Sequence, residues 1–187
     1  NETTIVSGSA YGPLRVWDLT NDTSRVLGEH DEPVSPVMKL NETTIVSAGE
    51  DGTLRVWDLT NDTSRVLSGH NLLVSSVMKL NETTIVSGSW DNTLRVWDLT
   101  NDTSRVLRGH TGSVLSVIKL NETTIVSGDN DGTLRVWDLT NDTSRVLRGH
   151  RIGGVLSVIK LNETTIVSGG VDGTLRVWDL TNDRSEE

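Results

Sequence analysis

The chain has four histidines, and each sits at the same distance from a serine and an aspartate. From His30, His70, His110 and His150 the serine lies 17 or 18 residues on, at Ser47, Ser87, Ser127 and Ser168. The aspartate lies 21 or 22 residues on, at Asp51, Asp91, Asp131 and Asp172. Ser, His and Asp together make hydrolase triads, in which the imidazole takes the hydroxyl proton and the carboxylate orients the imidazole. Here the trio recurs in every full repeat, always with a tryptophan at fixed spacing, and has no separate nucleophile elbow. A site copied four times reads as structure rather than catalysis. All four histidines are used this way and there is no cysteine. No general base, metal cluster or thiol nucleophile is left over, so no catalytic residue, metal or cofactor is expected.

The elements that hold these residues come from a repeat. Trp17, Trp57, Trp97, Trp137 and Trp178 are 40, 40, 40 and 41 residues apart. The unit 41–80 contains four short runs rich in Val, Ile, Leu, Thr and Trp, namely Thr43–Ser47, Thr53–Leu59, Ser64–Leu67 and Val74–Leu80. Turn-forming clusters of Gly, Asp, Asn and Thr separate them, and no helix-period pattern intervenes. The spacing predicts four antiparallel strands per unit. With no Phe and one Tyr, Val, Ile, Leu and Trp must fill the layers between units.

The Gly-His, Ser-Gly, Asp-Gly-Thr and Trp-Asp elements, in that order, resemble the WD-repeat β-propellers, over nearly the whole chain. The resemblance implies an all-β fold: a β-propeller of four-stranded antiparallel blades of about 40 residues, incomplete in one chain, with four to five blades. Within a blade, strands a to d run outward from a central channel. The resemblance further implies one hydrogen-bonded chain per set: His30, Ser47, Asp51, Trp57; His70, Ser87, Asp91, Trp97; His110, Ser127, Asp131, Trp137; His150, Ser168, Asp172, Trp178. The expected organisation is a single array over 1–187. It begins with a b-c-d blade at 1–28, continues with full blades at 34–68, 74–108 and 114–148, and ends with an a-b-c blade at 155–180. In the first unit Tyr11 and Pro13 stand where later units have Asp and Thr. The tail Thr181–Glu187 abandons the strand-d text, so the last blade is expected to lack that strand.

Propellers close with typically four to eight blades, and an open one exposes strand edges and apolar faces. Three escapes are open: the chain is a piece of a longer array, it closes alone as a four- or five-bladed ring, or, as favoured here, it is a homo-oligomer in which two chains share one ring, strand d of one (Ser24–Leu27) completing the a-b-c blade of the other. Excess acid, with 26 Asp+Glu against 17 Lys+Arg and a formal charge of −9, argues against nucleic acid and anionic membrane as partners. The absence of cysteine suits a reducing compartment, so a cytoplasmic location is expected. Asn-x-Thr recurs at the turns and reads as turn chemistry, with glycosylation as the alternative.

Change between the repeats concentrates in two windows. One is the b–c turn, where the residue before the Asp is Glu50, Trp90, Asn130 or Val171. The other flanks the His in the d–a connection and contains Asn71, Leu72, Leu73, Thr111, Arg108, Arg148, Arg151 and Ile152. In an antiparallel blade these two connections share one end, while the invariant a–b and c–d turns share the other. Polar turns equally exposed to water would drift alike. One-sided variation therefore predicts a recognition face for a protein or peptide, with these twelve residues as its candidates. Acid gathers on the early units (Glu29, Asp31, Glu32, Glu50) and Arg on the later ones. The alternatives are a structural or designed scaffold that self-assembles without a partner, and a lectin-like ligand binder.

Overall fold

The computed structural model describes residues 3–9, 13–150, 153–182 and 184–186. Every element among them is a β-strand, and consecutive strands pair antiparallel into five sheets. The first sheet has three strands: β1 (Thr4–Ser7), β2 (Leu14–Asp18) and β3 (Thr23–Gly28). The second is β4 (Val34–Lys39), β5 (Thr44–Gly49), β6 (Leu54–Asp58) and β7 (Thr63–Leu67). The third is β8 (Val74–Lys79), β9 (Thr84–Ser89), β10 (Thr93–Asp98) and β11 (Thr103–Arg108). The fourth is β12 (Val114–Lys119), β13 (Thr124–Asp129), β14 (Thr133–Asp138) and β15 (Thr143–Arg148). The fifth is β16 (Val155–Lys160), β17 (Thr165–Gly170), β18 (Leu175–Asp179) and β19 (Arg184–Glu186). This is the blade architecture of an incomplete β-propeller.

The last sheet corrects one expectation, because the tail supplies a fourth strand. Trp178 pairs with Ser185 and Asp179 with Arg184, the register that Trp137–Ser144 and Asp138–Thr143 hold in the fourth sheet. The reason lies in the turn before it. Asp179 Oδ1 accepts from Thr181 N at 2.9 Å and Oδ2 accepts from Asn182 Nδ2 at 2.8 Å, so the Asp-Leu-Thr-Asn text still reverses the chain. The backbone then pairs although Val and Leu are gone.

The same economy of side chains builds the other turns. In each a–b turn an Asn carboxamide oxygen caps the chain, as where Asn81 Oδ1 accepts from Thr83 N at 3.0 Å. In each c–d turn an Asp does so, and in the first four sheets the next Asp takes positive φ, 51° at Asp22 and 53° at Asp62, Asp102 and Asp142. Short Asx side chains tolerate that region because they bond their own backbone. The recurrent Asn-x-Thr and Thr-Asn-Asp segments are thus structural turn elements.

The core lies between sheets. The second sheet gives Val46, Leu54, Val56 and Leu67 to a cluster completed by Val74, Ile85, Trp97 and Leu99 of the third. The same two residue sets meet between the first and second, third and fourth, and fourth and fifth sheets. Each inner sheet is covered on both sides, so β9 and β13 are buried along nearly their whole length and show no two-residue alternation. The end sheets have one covered side. Trp17 is 38 % exposed against 2 % for Trp97, and Leu175 is 69 % exposed against 0 % for Leu134.

Candidate functional site

The His, Ser and Trp side chains meet inside each blade. In the third sheet Trp97 Nε1 donates to Ser87 Oγ at 2.8 Å, and Ser87 Oγ lies 2.7 Å from His70 Nε2. His70 Nδ1 lies 2.8 Å from Asp91 Oδ2. Burial holds the His70 imidazole below its ordinary pKa, against the pull of Asp91, so at neutral pH it is uncharged. Nδ1–H then donates to the carboxylate and Nε2 accepts the Ser hydroxyl. His30–Ser47–Trp57 and His150–Ser168–Trp178 repeat these contacts, with Asp51 and Asp172 as the carboxylates. Ser47, Ser87, Ser127 and Ser168 are fully buried, so none of these four hydroxyls faces solvent. In the first sheet Trp17 Nε1 still donates to Ser7 Oγ at 2.9 Å. Tyr11 lies outside the described residues.

The fourth sheet departs from the expected set. His110 Nδ1 bonds Asp129 Oδ2 at 2.6 Å, not Asp131. Asp129 is fully buried at the end of β13, where the other blades have Gly49, Ser89 and Gly170. It also accepts from Thr133 Oγ1 at 2.7 Å, Thr133 N at 2.9 Å and Asp131 N at 3.1 Å. Burial raises its pKa, but these donors and His110 outweigh burial and hold the carboxyl below its ordinary value. Asp131 is left at the surface, accepting from Thr111 Oγ1 at 2.9 Å. With acids at both 129 and 131, spacing alone selected the wrong one.

Two further contributors escaped the sequence reading. Thr53, Thr93 and Thr174 each donate their hydroxyl to the set carboxylate at 2.6–2.8 Å. Arg95 and Arg135 stack over Trp97 and Trp137 at 5.7 and 5.8 Å. The recurrence of that Thr in every unit that has a His was the available signal.

These sets fix the variable residues, because each window adjoins a set member. Asn71 follows His70, and Trp90 precedes Asp91. Backbone bonds then join the two windows of each blade: Glu50 N to Pro33 O at 3.0 Å, Trp90 N to Leu73 O, Asn130 N to Ser113 O and Val171 N to Gly154 O, each at 2.9 Å. Neighbouring blades are also linked here, by Asn92 Nδ2 to Thr111 O at 3.1 Å and Ser113 Oγ to Trp90 O at 3.4 Å. The windows of the third and fourth sheets are thereby joined into one continuous surface. Gly112 allows its closest approach, since a Cβ there would fall 1.9 Å from Asn130 Oδ1.

Glu50, Asn71, Leu72, Trp90, Arg108, Thr111, Asn130, Arg148 and Val171 are exposed, and Leu73 is half-buried, its carbonyl accepting from Trp90 N. Arg151 and Ile152 lie outside the described residues. Leu72, Trp90 and Val171 are each about half exposed, at 53, 49 and 58 %. Glu29, Asp31 and Glu32 are exposed on the approach to the second sheet, and Arg108 and Arg148 leave the third and fourth.

The opposite rim is not the free surface that the sequence suggested. Arg65 Nη2 donates to Leu99 O of the next blade at 2.8 Å, and its Nη1 pairs with Asp102. Arg25 and Arg105 repeat this with Asp62 and Asp142. Lys79 and Lys119 reach back to Leu40 O and Leu80 O, each at 2.6 Å. The invariant turns carry ion pairs and carbonyl bonds that lace neighbouring blades together.

None of the curated proteins matches the chain. The family described as WD domain, G-beta repeat matches four consecutive segments, 22–58, 61–98, 101–138 and 141–179. Each segment runs from strand d of one sheet through a, b and c of the next, so a sequence repeat staples two blades together. Repeats of this family generally mediate protein interaction or scaffolding. The chain belongs to the WD-repeat family, its matches covering most of the length from 22 to 179.

Proposed function

We propose that the band formed by the b–c and d–a windows is a non-catalytic recognition face for a protein or peptide. The carrying observation is that the two windows where change between the repeats concentrates are hydrogen-bonded to each other in the second to fifth sheets, with Leu72, Trp90 and Val171 exposed among polar groups. Aromatic and aliphatic anchors ringed by polar side chains are the composition of binding hot spots. The band is preorganised by the buried sets, which lowers the entropy lost on binding. Its charge runs from acidic around Glu29, Glu32 and Glu50 to basic around Arg108 and Arg148, which selects a partner of opposite polarity and speeds encounter.

The test is affinity capture with the wild type, a Leu72→Ala/Leu73→Ala/Trp90→Ala variant, and Glu122→Ala on the laced rim. A specific partner is retained by wild type and Glu122→Ala and lost from the triple variant. Identical captures by all three end this assignment.

A further inference from the structure

The laced rim carries a cleft at each internal junction, lined by one repeated row of side chains. In the third sheet Asp98 stands directly opposite Thr84 on β9 and Thr103 on β11. Opposite residues share a face, so these three side chains form a row across strands b, c and d. Thr44–Asp58–Thr63 and Thr124–Asp138–Thr143 repeat it in the second and fourth sheets. Between the third and fourth sheets the row lines a cleft of about 580 Å³, with Glu122 on its far side and buried Val96 and Leu139 at its base. Asp18, Asp58 and Asp138 line its counterparts at the other junctions. All four clefts lie between sheets of this one chain.

The cations at this cleft are engaged within the chain. Arg105 donates to Leu139 O at 2.9 Å and pairs with Asp142, and Lys119 donates to Leu80 O at 2.6 Å and pairs with Glu122. Asp98 instead accepts from neutral groups, Thr100 N at 2.8 Å and Asn101 Nδ2 at 2.9 Å, which hold its carboxyl below the ordinary value and keep it ionised. Each cleft thus presents a carboxylate whose bonds neutralise none of its charge. The fifth sheet places a cation in the same row: Arg184 stands opposite Asp179 where Thr143 stands opposite Asp138. We infer that the clefts of the laced rim bind a basic peptide, each taking one Lys or Arg side chain with its charged head on the row carboxylate and its methylene stem on the Val and Leu at the base. The Thr hydroxyls accept further N–H groups of that head. Identical clefts at consecutive junctions suit a peptide that repeats its cations, and engaging several at once raises affinity beyond that of one exposed ion pair. This surface lies on the rim opposite the variable band.

Fluorescence anisotropy of a labelled dodecalysine, titrated with the chain at low salt, tests this. Asp58→Asn/Asp98→Asn/Asp138→Asn weakens binding about tenfold, whereas Glu29→Gln/Glu32→Gln/Glu50→Gln on the variable band, with the same change in net charge, stays within about twofold of wild type. Equal losses mean that the peptide senses only the formal charge of −9, and overturn the inference. Thr63→Arg/Thr103→Arg/Thr143→Arg copies the arrangement at Arg184, lies at exposed sites and leaves the turn-capping Asp in place, so it decides the matter even if the Asn variant unfolds. It weakens binding about tenfold, and Asn71→Arg/Thr111→Arg/Asn130→Arg on the band, of equal charge, does so by about twofold or less. Equal effects of these two Arg variants also overturn the inference. Leu72→Ala/Leu73→Ala/Trp90→Ala binds dodecalysine as wild type does; a loss there would place the peptide on the band instead. The recognition face and the clefts therefore fail by different variants.

Discussion

The fourth blade chooses between two acids, and that choice has a measurable energy. Asp129→Asn keeps the shape of a side chain that accepts from four donors: His110 Nδ1, Thr133 Oγ1, Thr133 N and Asp131 N. The carboxamide oxygen can still accept two of them. Its NH2 group faces the rest, leaving two buried donors without an acceptor. Bonds to a charged group contribute about 1.5–3 kcal/mol each, so Asp129→Asn costs about 3 kcal/mol or more. Asp91→Asn, whose carboxylate serves His70, Thr93 and Asn71, costs about the same. Asp131→Asn loses one exposed bond from Thr111 and stays within about 0.5 kcal/mol of wild type. Urea unfolding followed by tryptophan fluorescence ranks the three, with the first transition compared because blades need not unfold together. A destabilising Asp131→Asn with a silent Asp129→Asn would refute the assignment.

Acid weakens the fold in two stages. His30 and His70 have pKa values lowered from 6.5, chiefly by burial, so the unfolded chain binds protons that the folded chain refuses. Their contribution is complete above pH 6.5 and declines below it, by at most about 1.4 kcal/mol per pH unit per histidine. Asp51 and Asp91, held below 3.8, withdraw their contribution as pH falls further. A urea midpoint unchanged from about pH 7.5 to 5 contradicts this. Gly52→Ala costs about 1–3 kcal/mol, because Gly52 has φ 75° and its Cβ would stand 2.9 Å from His70 O; an unaltered midpoint denies that strain. Arg65→Ala removes the bond to Leu99 O and lowers stability by about 1 kcal/mol, with faster hydrogen exchange at the facing edges of the second and third sheets. Unchanged exchange there removes the lacing role.

The strands and their grouping were legible because Trp-Asp, Asp-Gly-Thr and the Asx turns recur with a fixed period, and the antiparallel order follows from short turns. What was illegible depended on three-dimensional competition. Nothing in spacing says that Asp129, two residues nearer the strand, is enclosed and thereby outcompetes Asp131 for His110. The tail looked strandless because Val and Leu had gone, yet backbone pairing needed only the preceding turn around Asp179. The constancy of the a–b and c–d turns looked like a contrast with loops under selection. It is explained by Arg65, Lys79 and their equivalents, whose bonds cross between blades and leave no trace in the spacing of a single repeat. The variable windows did fall at one end of the blades, as alternation of connections requires, because Trp90 N reaches Leu73 O and Val171 N reaches Gly154 O.

The recognition face is tested most directly by the affinity of a captured partner for three forms of the chain. Loss of Leu72, Leu73 and Trp90 together weakens binding by about thirtyfold or more, the equivalent of one hot spot of about 2 kcal/mol. Glu122→Ala on the laced rim leaves it unchanged. Equal affinity for all three forms, or a loss confined to Glu122→Ala, would place the binding surface elsewhere on the molecule.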